Sequence, residues 1–166
     1  MRITLEILIE DDNWINHKFS SKGYLRKVLT TTLKVLNWDW VPHKIATCIL
    51  LTDNAKMQEL NYSFLGINKP TNVLAFPAEN RNPKILLSSP LKNLEMGELA
   101  LGYQILQEES VQYSLALKDH FTHLIIHGIL HTLGFDHQNE KDAQIMFGLE
   151  DAILGELEIK RCIRSP

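Results

Sequence analysis

His127-Gly128-Ile129-Leu130-His131-Thr132-Leu133-Gly134-Phe135-Asp136-His137 carries three histidines at the spacing a metal ion needs, with glycines where the backbone must turn. Four residues of an α-helix turn through about 400°, so His127 and His131 project from one face, about 40° apart, toward a common ion. Gly134 stands where such a helix commonly ends in a left-handed conformation that glycine adopts without steric cost. The chain then folds back, and His137 supplies a third nitrogen from outside the helix. Three protein ligands leave the fourth position of a zinc ion open, the pattern of a catalytic site. Zinc is the default for three imidazoles, although nickel, copper and iron bind them too.

Working outward, the apolar spacing of Phe121, Leu124, Ile125, Ile129 and Leu133 predicts a helix over about 118–133. A helix over about 103–116 precedes it, after a strand at Glu98–Leu101. Asn139 caps a last helix through about 155, with Met146, Leu149 and Ile153 on its inner side. Toward the N-terminus, Ile3, Leu5, Ile7 and Ile9 alternate, so 2–9 reads as a strand. Ser20 or Ser21 caps a helix over about 21–36 that buries Leu25, Val28, Leu29 and Leu36, and Trp38-Asp39-Trp40-Val41-Pro42 breaks it. Ile45–Leu51 reads as a buried strand, and Asp53 or Asn54 caps a short helix through about Tyr62. After a loop punctuated by Gly66 and Pro70, Thr71–Phe76 forms a third strand closed by Pro77. Residues 78–95, rich in Asn, Pro, Ser and Lys, read as a loop or hairpin excursion. The sum is one α+β domain over 1–166: a small, mixed, mostly parallel four-stranded sheet packed with helices.

Bulk properties narrow the class. A chain of 166 residues with 45% hydrophobic and 22% charged residues is ordinary for a globular protein with a sizeable core. Its apolar runs are too short to cross a bilayer, and Met1–Glu6 enters strand alternation without a signal-peptide core, so no membrane is expected. Cys48 and Cys162 show no metal or redox spacing; a reduced cytoplasmic protein is the simplest reading. The net charge of −3 runs against the basic footprint of nucleic-acid enzymes. Lys18, Lys22, Arg26, Lys27 and Lys34 cluster near the N-terminus, and Glu140, Asp142, Glu150, Asp151, Glu156 and Glu158 near the C-terminus. The basic group reads equally as a phosphate-tracking face and as a solvated helix face. His17, His43 and His120 lack a ligand-spaced partner, which suits surface or capping roles. His123, one turn before His127, either faces the same cavity or lies on plain helix surface. Asp136 can orient an imidazole or accept a proton, and can equally stabilise the turn after Phe135.

The pattern compares with H-E-x-x-H-x-x-G-x-x-H of metzincin proteases. Here Gly128 takes the position of the general-base glutamate, which argues against peptide hydrolysis. A glycine in mid-helix costs about 1 kcal/mol relative to alanine, so it points to close approach by another backbone or a substrate. The stretch resembles the YbeY family of single-strand-specific, metal-dependent endoribonucleases. Leu60-Asn61, Gly66 and Pro70-Thr71-Asn72-Val73-Leu74-Ala75-Phe76-Pro77 are similar to a second family signature. Gly97-Glu98-Leu99-Ala100-Leu101 is similar to the family's G-D-I strand, and the tail with Met146 and Glu150 to its closing helix. The likeness covers most of the chain from about Ile45 onward. It implies a YbeY-like α+β fold with one Zn2+ held by His127, His131 and His137. It also implies 16S rRNA 3′-end maturation and ribosome quality control, acting on single-stranded ribosomal RNA. The partners it implies are the small ribosomal subunit and a ribosomal protein or Era-type GTPase.

The chain departs from the family pattern at four positions. Leu65 replaces an arginine thought to hold RNA phosphate, Ala75 replaces a common serine, Glu98 replaces the usual aspartate, and Asn72 sits where many members have aspartate. With Leu65 in place, Lys69 becomes the candidate phosphate-binding cation, and Asp136, His123 and Lys69 are the candidate catalytic residues. Competing readings are a catalytically weakened ribosome-associated maturation factor, favoured by Leu65, and a zinc metallopeptidase, disfavoured by Gly128. A structural zinc site is disfavoured because only three ligands lie close in sequence.

Overall fold

Alternating apolar residues give the sheet one face that is buried across three strands, and that face decides where the helices go. The computed structural model describes residues 2–37, 44–79, 82–83 and 93–160. Its strands are β1 (Arg2–Ile9), β2 (Lys44–Thr52), β3 (Val73–Pro77) and β4 (Asn93–Gly102). Its helices are α1 (Lys22–Val35), α2 (Asn54–Leu65), α3 (Tyr103–Gln112), α4 (Leu117–Thr132) and α5 (Glu140–Glu156). The strand order is β1-β2-β4-β3. β1, β2 and β4 are mutually parallel and β3 runs antiparallel at the edge, so the α+β class and the mostly parallel mixed sheet are as expected.

Ile3 and Leu5, Ile45 and Ile49, and Leu94, Met96, Leu99 and Leu101 line the buried face. Against it lie Leu25, Val28, Leu29 and Leu33 of α1 and Phe121, Ile125, Ile126, Ile129 and Leu130 of α4. On the opposite face, Met57 of α2 packs with Leu74 and Ala100. Caps set the helix starts: the Ser21 side chain accepts from Tyr24 N, Asp53 from Lys56 N, and Asn139 from Asp142 N.

Four boundaries differ from expectation. α2 runs to Leu65 rather than Tyr62 and ends where Gly66 takes φ +71°, its N–H donating to Tyr62 O. β4 begins at Asn93, well before Glu98, and residues 80–81 and 84–92 of the expected excursion lie outside the described residues. The register skips from Ala46↔Glu95 to Thr47↔Gly97, leaving Met96 as the extra residue of a bulge. The bulge interrupts the two-residue period, so Leu94 and Met96 do not read as one strand with Leu99 and Leu101. Only glycine fits its centre: Gly97 has φ +106°, and a Cβ there would stand 2.1 Å from the Phe76 carbonyl oxygen. β3 starts at Val73 rather than Thr71, because the Asn72 side chain accepts from Val73 N and turns the chain first. α3 stops at Gln112 rather than 116. Ser114 takes φ +54°, with Ser114 N bonded to Val111 O and Leu115 N to Ser110 O, the double bond of a Schellman end. The expected break at Trp38–Pro42, His43 and Cys162 lie outside the described residues.

Candidate metal centre

Along α4, 100° per residue places His120, His123, His127 and His131 within about 80° of one another. That row faces a cleft, while the apolar side of the helix enters the core. Behind His127 and His131, Gly128 allows α4 to settle on the sheet. A Cβ there would lie 2.8 Å from Leu99 Cδ2 and 3.4 Å from Val73 Cγ2. The glycine therefore admits side chains of β4 and β3 rather than another backbone, and it also lines the cleft.

The end of α4 brings the third histidine back. Gly134 has φ +91°, its N–H donates to His131 O, and Phe135 N donates to Leu130 O. Phe135 is buried and anchors the turn. Asp136 Oδ1 accepts from the backbone N–H of His137 at 2.7 Å, so that oxygen stabilises the turn. The His137 ring reaches centroid distances of 5.3 Å from His127 and 5.1 Å from His131, and stacks on Phe147 of α5. One ring nitrogen of each histidine lies within 4.8 Å of the others, so the three could hold a metal ion.

The donor set fits that role. His127 Nδ1 lies 2.7 Å from Glu150 Oε1, and His123 Nε2 lies 3.0 Å from Glu150 Oε2. Glu150 is 3% exposed. Burial raises its pKa, but hydrogen bonds from His123 and His127 outweigh this and hold it at about 2. An ionised carboxylate can only accept, so His127 must carry its proton on Nδ1. In the neutral ring Nε2 is then the lone-pair nitrogen a metal would take, and it lies 3.0 Å from His131 Nε2. Tetrahedral zinc with bonds of about 2.0–2.1 Å sets nitrogens about 3.3 Å apart, so the separation is close to what an ion would impose. Burial, followed by the neighbouring His127 and His137, lowers the His131 pKa to about 4, keeping the ring neutral and ligand-ready.

These groups line a cleft of about 1190 Å³. It also contains Lys69, Asp136 and His123, so all six sequence candidates share one cavity. Lys69 stands on a loop pinned by the buried Asn61, whose Nδ2 donates to Lys69 O. Leu65 lies on the rim, 61% exposed. The basic cluster from Lys18 to Lys34 is absent from the lining, and its members are exposed on α1 and the turn before it.

Two features escaped the sequence reading. Glu150 counted there as one of a C-terminal cluster of acids and as part of the closing helix, with no role at the site. Its signal was a carboxylate at i+4 from Met146 and i−3 from Ile153, on the apolar stripe of α5. His120, expected at the surface, is 4% exposed. Its Nε2 lies 2.7 Å from Glu109 Oε2, and Asn72 Nδ2 donates to both Glu109 oxygens. Its burial follows from α4 being covered on both sides, which an isolated histidine does not announce. His17 is half-buried, stacked on Phe19 and bonded to the Tyr103 hydroxyl.

Comparison with known proteins gives the family. Residues 8–158 match the family model described as Endoribonuclease YbeY. A protein named Endoribonuclease YbeY from Jannaschia sp. is 38% identical, the match covering 93% of this chain and 96% of that one. One of the same name from Wolbachia pipientis is 34% identical, over 95% and 96% of the two chains. A solution structure from Thermotoga maritima shares the fold with a TM-score of 0.56 at 19% identity, over 93% of this chain and 92% of that one. With the model spanning nearly the whole chain and relatives this similar over their full length, the chain belongs to the YbeY endoribonuclease family.

Proposed function

We propose that this protein is a zinc-dependent endoribonuclease that cuts single-stranded RNA in 16S rRNA 3′-end maturation and ribosome quality control. The observation that carries the reading is the convergence of His127, His131 and His137 on the wall of an open cleft, in a chain of this family. A bound zinc ion supplies Lewis-acid chemistry, polarising a phosphoryl oxygen and lowering the pKa of water. The protein's own groups do the rest. Glu150 fixes the tautomer and aim of His127 and holds His123 behind it, which makes His123 a positioning residue. Proton uptake is assigned to Asp136, which lines the cleft and whose charge acts on His131. Lys69 supplies positive charge for a phosphate where Leu65 cannot. Family membership further supports action on the small ribosomal subunit in the cytoplasm, with a ribosomal protein or an Era-type GTPase as partner.

The test is a metal assay and a substrate panel. The purified protein should contain close to one zinc per chain. It should cut unstructured RNA, spare double-stranded RNA and an unfolded polypeptide, and lose both metal and cleavage in His131→Ala. RNA cleavage that survives that substitution, or hydrolysis of the polypeptide instead, refutes the assignment.

A further inference from the structure

The cleft extends beyond the metal ligands to a second polar wall that they do not use. Its centre is Glu109 of α3. His120 Nε2 and Asn72 Nδ2 hold that carboxylate from two sides. Burial raises the Glu109 pKa, but the hydrogen bonds from His120 and Asn72 outweigh this and lower it. His120 is spent on the contact: its Nδ1 is buried with no partner among the described residues. Oε2 takes both donors, whereas Oε1 takes Asn72 alone, at 3.2 Å. With 27% of its side chain exposed and Glu109 lining the cleft, the carboxylate keeps acceptor capacity for a ligand there. Tyr113, one turn on from Glu109, also lines the cleft and is 39% exposed. The wall therefore offers an aromatic surface beside a fixed anionic acceptor.

His120 and His127 are seven residues apart on α4, so this wall stands about 10 Å along the helix from the metal ligands. That is within one or two nucleotides of a phosphate held at the metal. An ionised carboxylate accepts N–H donors and repels carbonyl oxygens. Guanine presents N1–H and the N2 amino group side by side, whereas uracil flanks its one N–H with two carbonyls. We propose that Glu109, Asn72 and Tyr113 form a nucleobase subsite selective for guanine, Tyr113 stacking on the ring and Glu109 accepting from its donor edge. The proposal rests on the RNA reading above and adds a sequence preference to it.

The four nucleoside 5′-monophosphates test it, because they share the phosphate that meets the metal and differ only in the base. Binding to the purified, metal-containing protein is measured by calorimetry. A hydrogen bond to a charged group predicts that GMP binds about tenfold more tightly than UMP. Glu109→Gln, which can donate to a carbonyl, should bring the GMP-to-UMP ratio to near one. Tyr113→Ala should weaken all four, and Tyr113→Trp should restore them. Equal affinities in the wild type, a ratio unchanged in Glu109→Gln, or no binding at millimolar nucleotide overturns the proposal. The same preparation is offered unstructured RNA carrying a single guanine. Guanine-selective binding without cleavage leaves the subsite standing and refutes the endoribonuclease reading instead.

Discussion

At the scale of single residues, the candidate metal centre depends on one carboxylate that is not itself among the three histidines of the cluster. Glu150 binds His127 and His123 with its two oxygens, and its charge keeps the His127 proton on Nδ1. Glu150→Gln preserves shape and removes the charge. Zinc affinity, read by competition with a chelator, should fall about 10- to 100-fold, the usual cost of losing a partner behind a ligand histidine. An unchanged affinity would mean that His127 is oriented by packing alone. His131 gives the pH dependence. Its folded-state pKa of about 4 lies below the ordinary 6.5, so the unfolded chain binds the proton more readily. Stability of the metal-free protein should therefore fall as pH drops from about 6.5 to about 4 and level off below, as far as this group is concerned. Melting curves of metal-free wild type and His131→Gln across that range check this: the variant should lose less. The clustering of the three histidines was readable because helical spacing and a glycine turn are local facts. Glu150, Glu109 and His120 were not, since their roles arise from contacts across 23 residues, from His127 to Glu150, and across 11, from Glu109 to His120.

At the scale of elements, two glycines, Gly97 in β4 and Gly128 where α4 packs on the sheet, should respond very differently to alanine. At Gly97 the added methyl meets backbone, the Phe76 carbonyl oxygen at 2.1 Å, and the residue must also hold φ +106°. Neither can relax without dismantling the bulge, so Gly97→Ala should cost more than about 3 kcal/mol. At Gly128 the methyl meets the flexible end of Leu99 at 2.8 Å. Overpacking costs about 1–3 kcal/mol, and alanine returns about 1 kcal/mol of helix propensity. Gly128→Ala should thus cost about 1 kcal/mol net. Urea unfolding of both variants checks the ranking, and a larger loss at Gly128 would show that α4 cannot shift on the sheet. The same bulge explains how far the elements were readable. β1 and β2 follow an uninterrupted pattern, and their expected ranges lie within one residue of the observed ones at each end. β4 loses its period at Met96 and was seen only from Glu98 onward. The end of α3 depends on Ser114 entering a left-handed conformation, which its side chain does not require.

At the scale of the whole molecule, charge is distributed in a way that should show in how RNA binding responds to salt. The net charge is −3, and the basic cluster of Lys18, Lys22, Arg26, Lys27 and Lys34 stands outside the cleft. Among the described residues, Lys69 is the single lysine or arginine of the lining, which also includes Glu79, Glu109, Asp136 and Glu150. Each phosphate neutralised on a single strand contributes about −0.7 to the slope of log affinity against log salt. A cleft that relies on one lysine and a metal should therefore give a shallow slope, of magnitude about 1 to 2. Lys69→Ala should weaken binding of single-stranded RNA and flatten that slope by about 0.7. Leu65→Arg puts a guanidinium on an exposed rim position of the same cleft and should steepen the slope by a similar amount while raising cleavage. Affinities measured from about 50 to 200 mM salt separate the cases, because that range spans the strong loss expected of multi-phosphate contacts. A steep slope unaffected by Lys69→Ala would place the phosphate contacts on α1. The basic cluster would then be the RNA-tracking face, and the strand would have to wrap around the molecule to reach the metal.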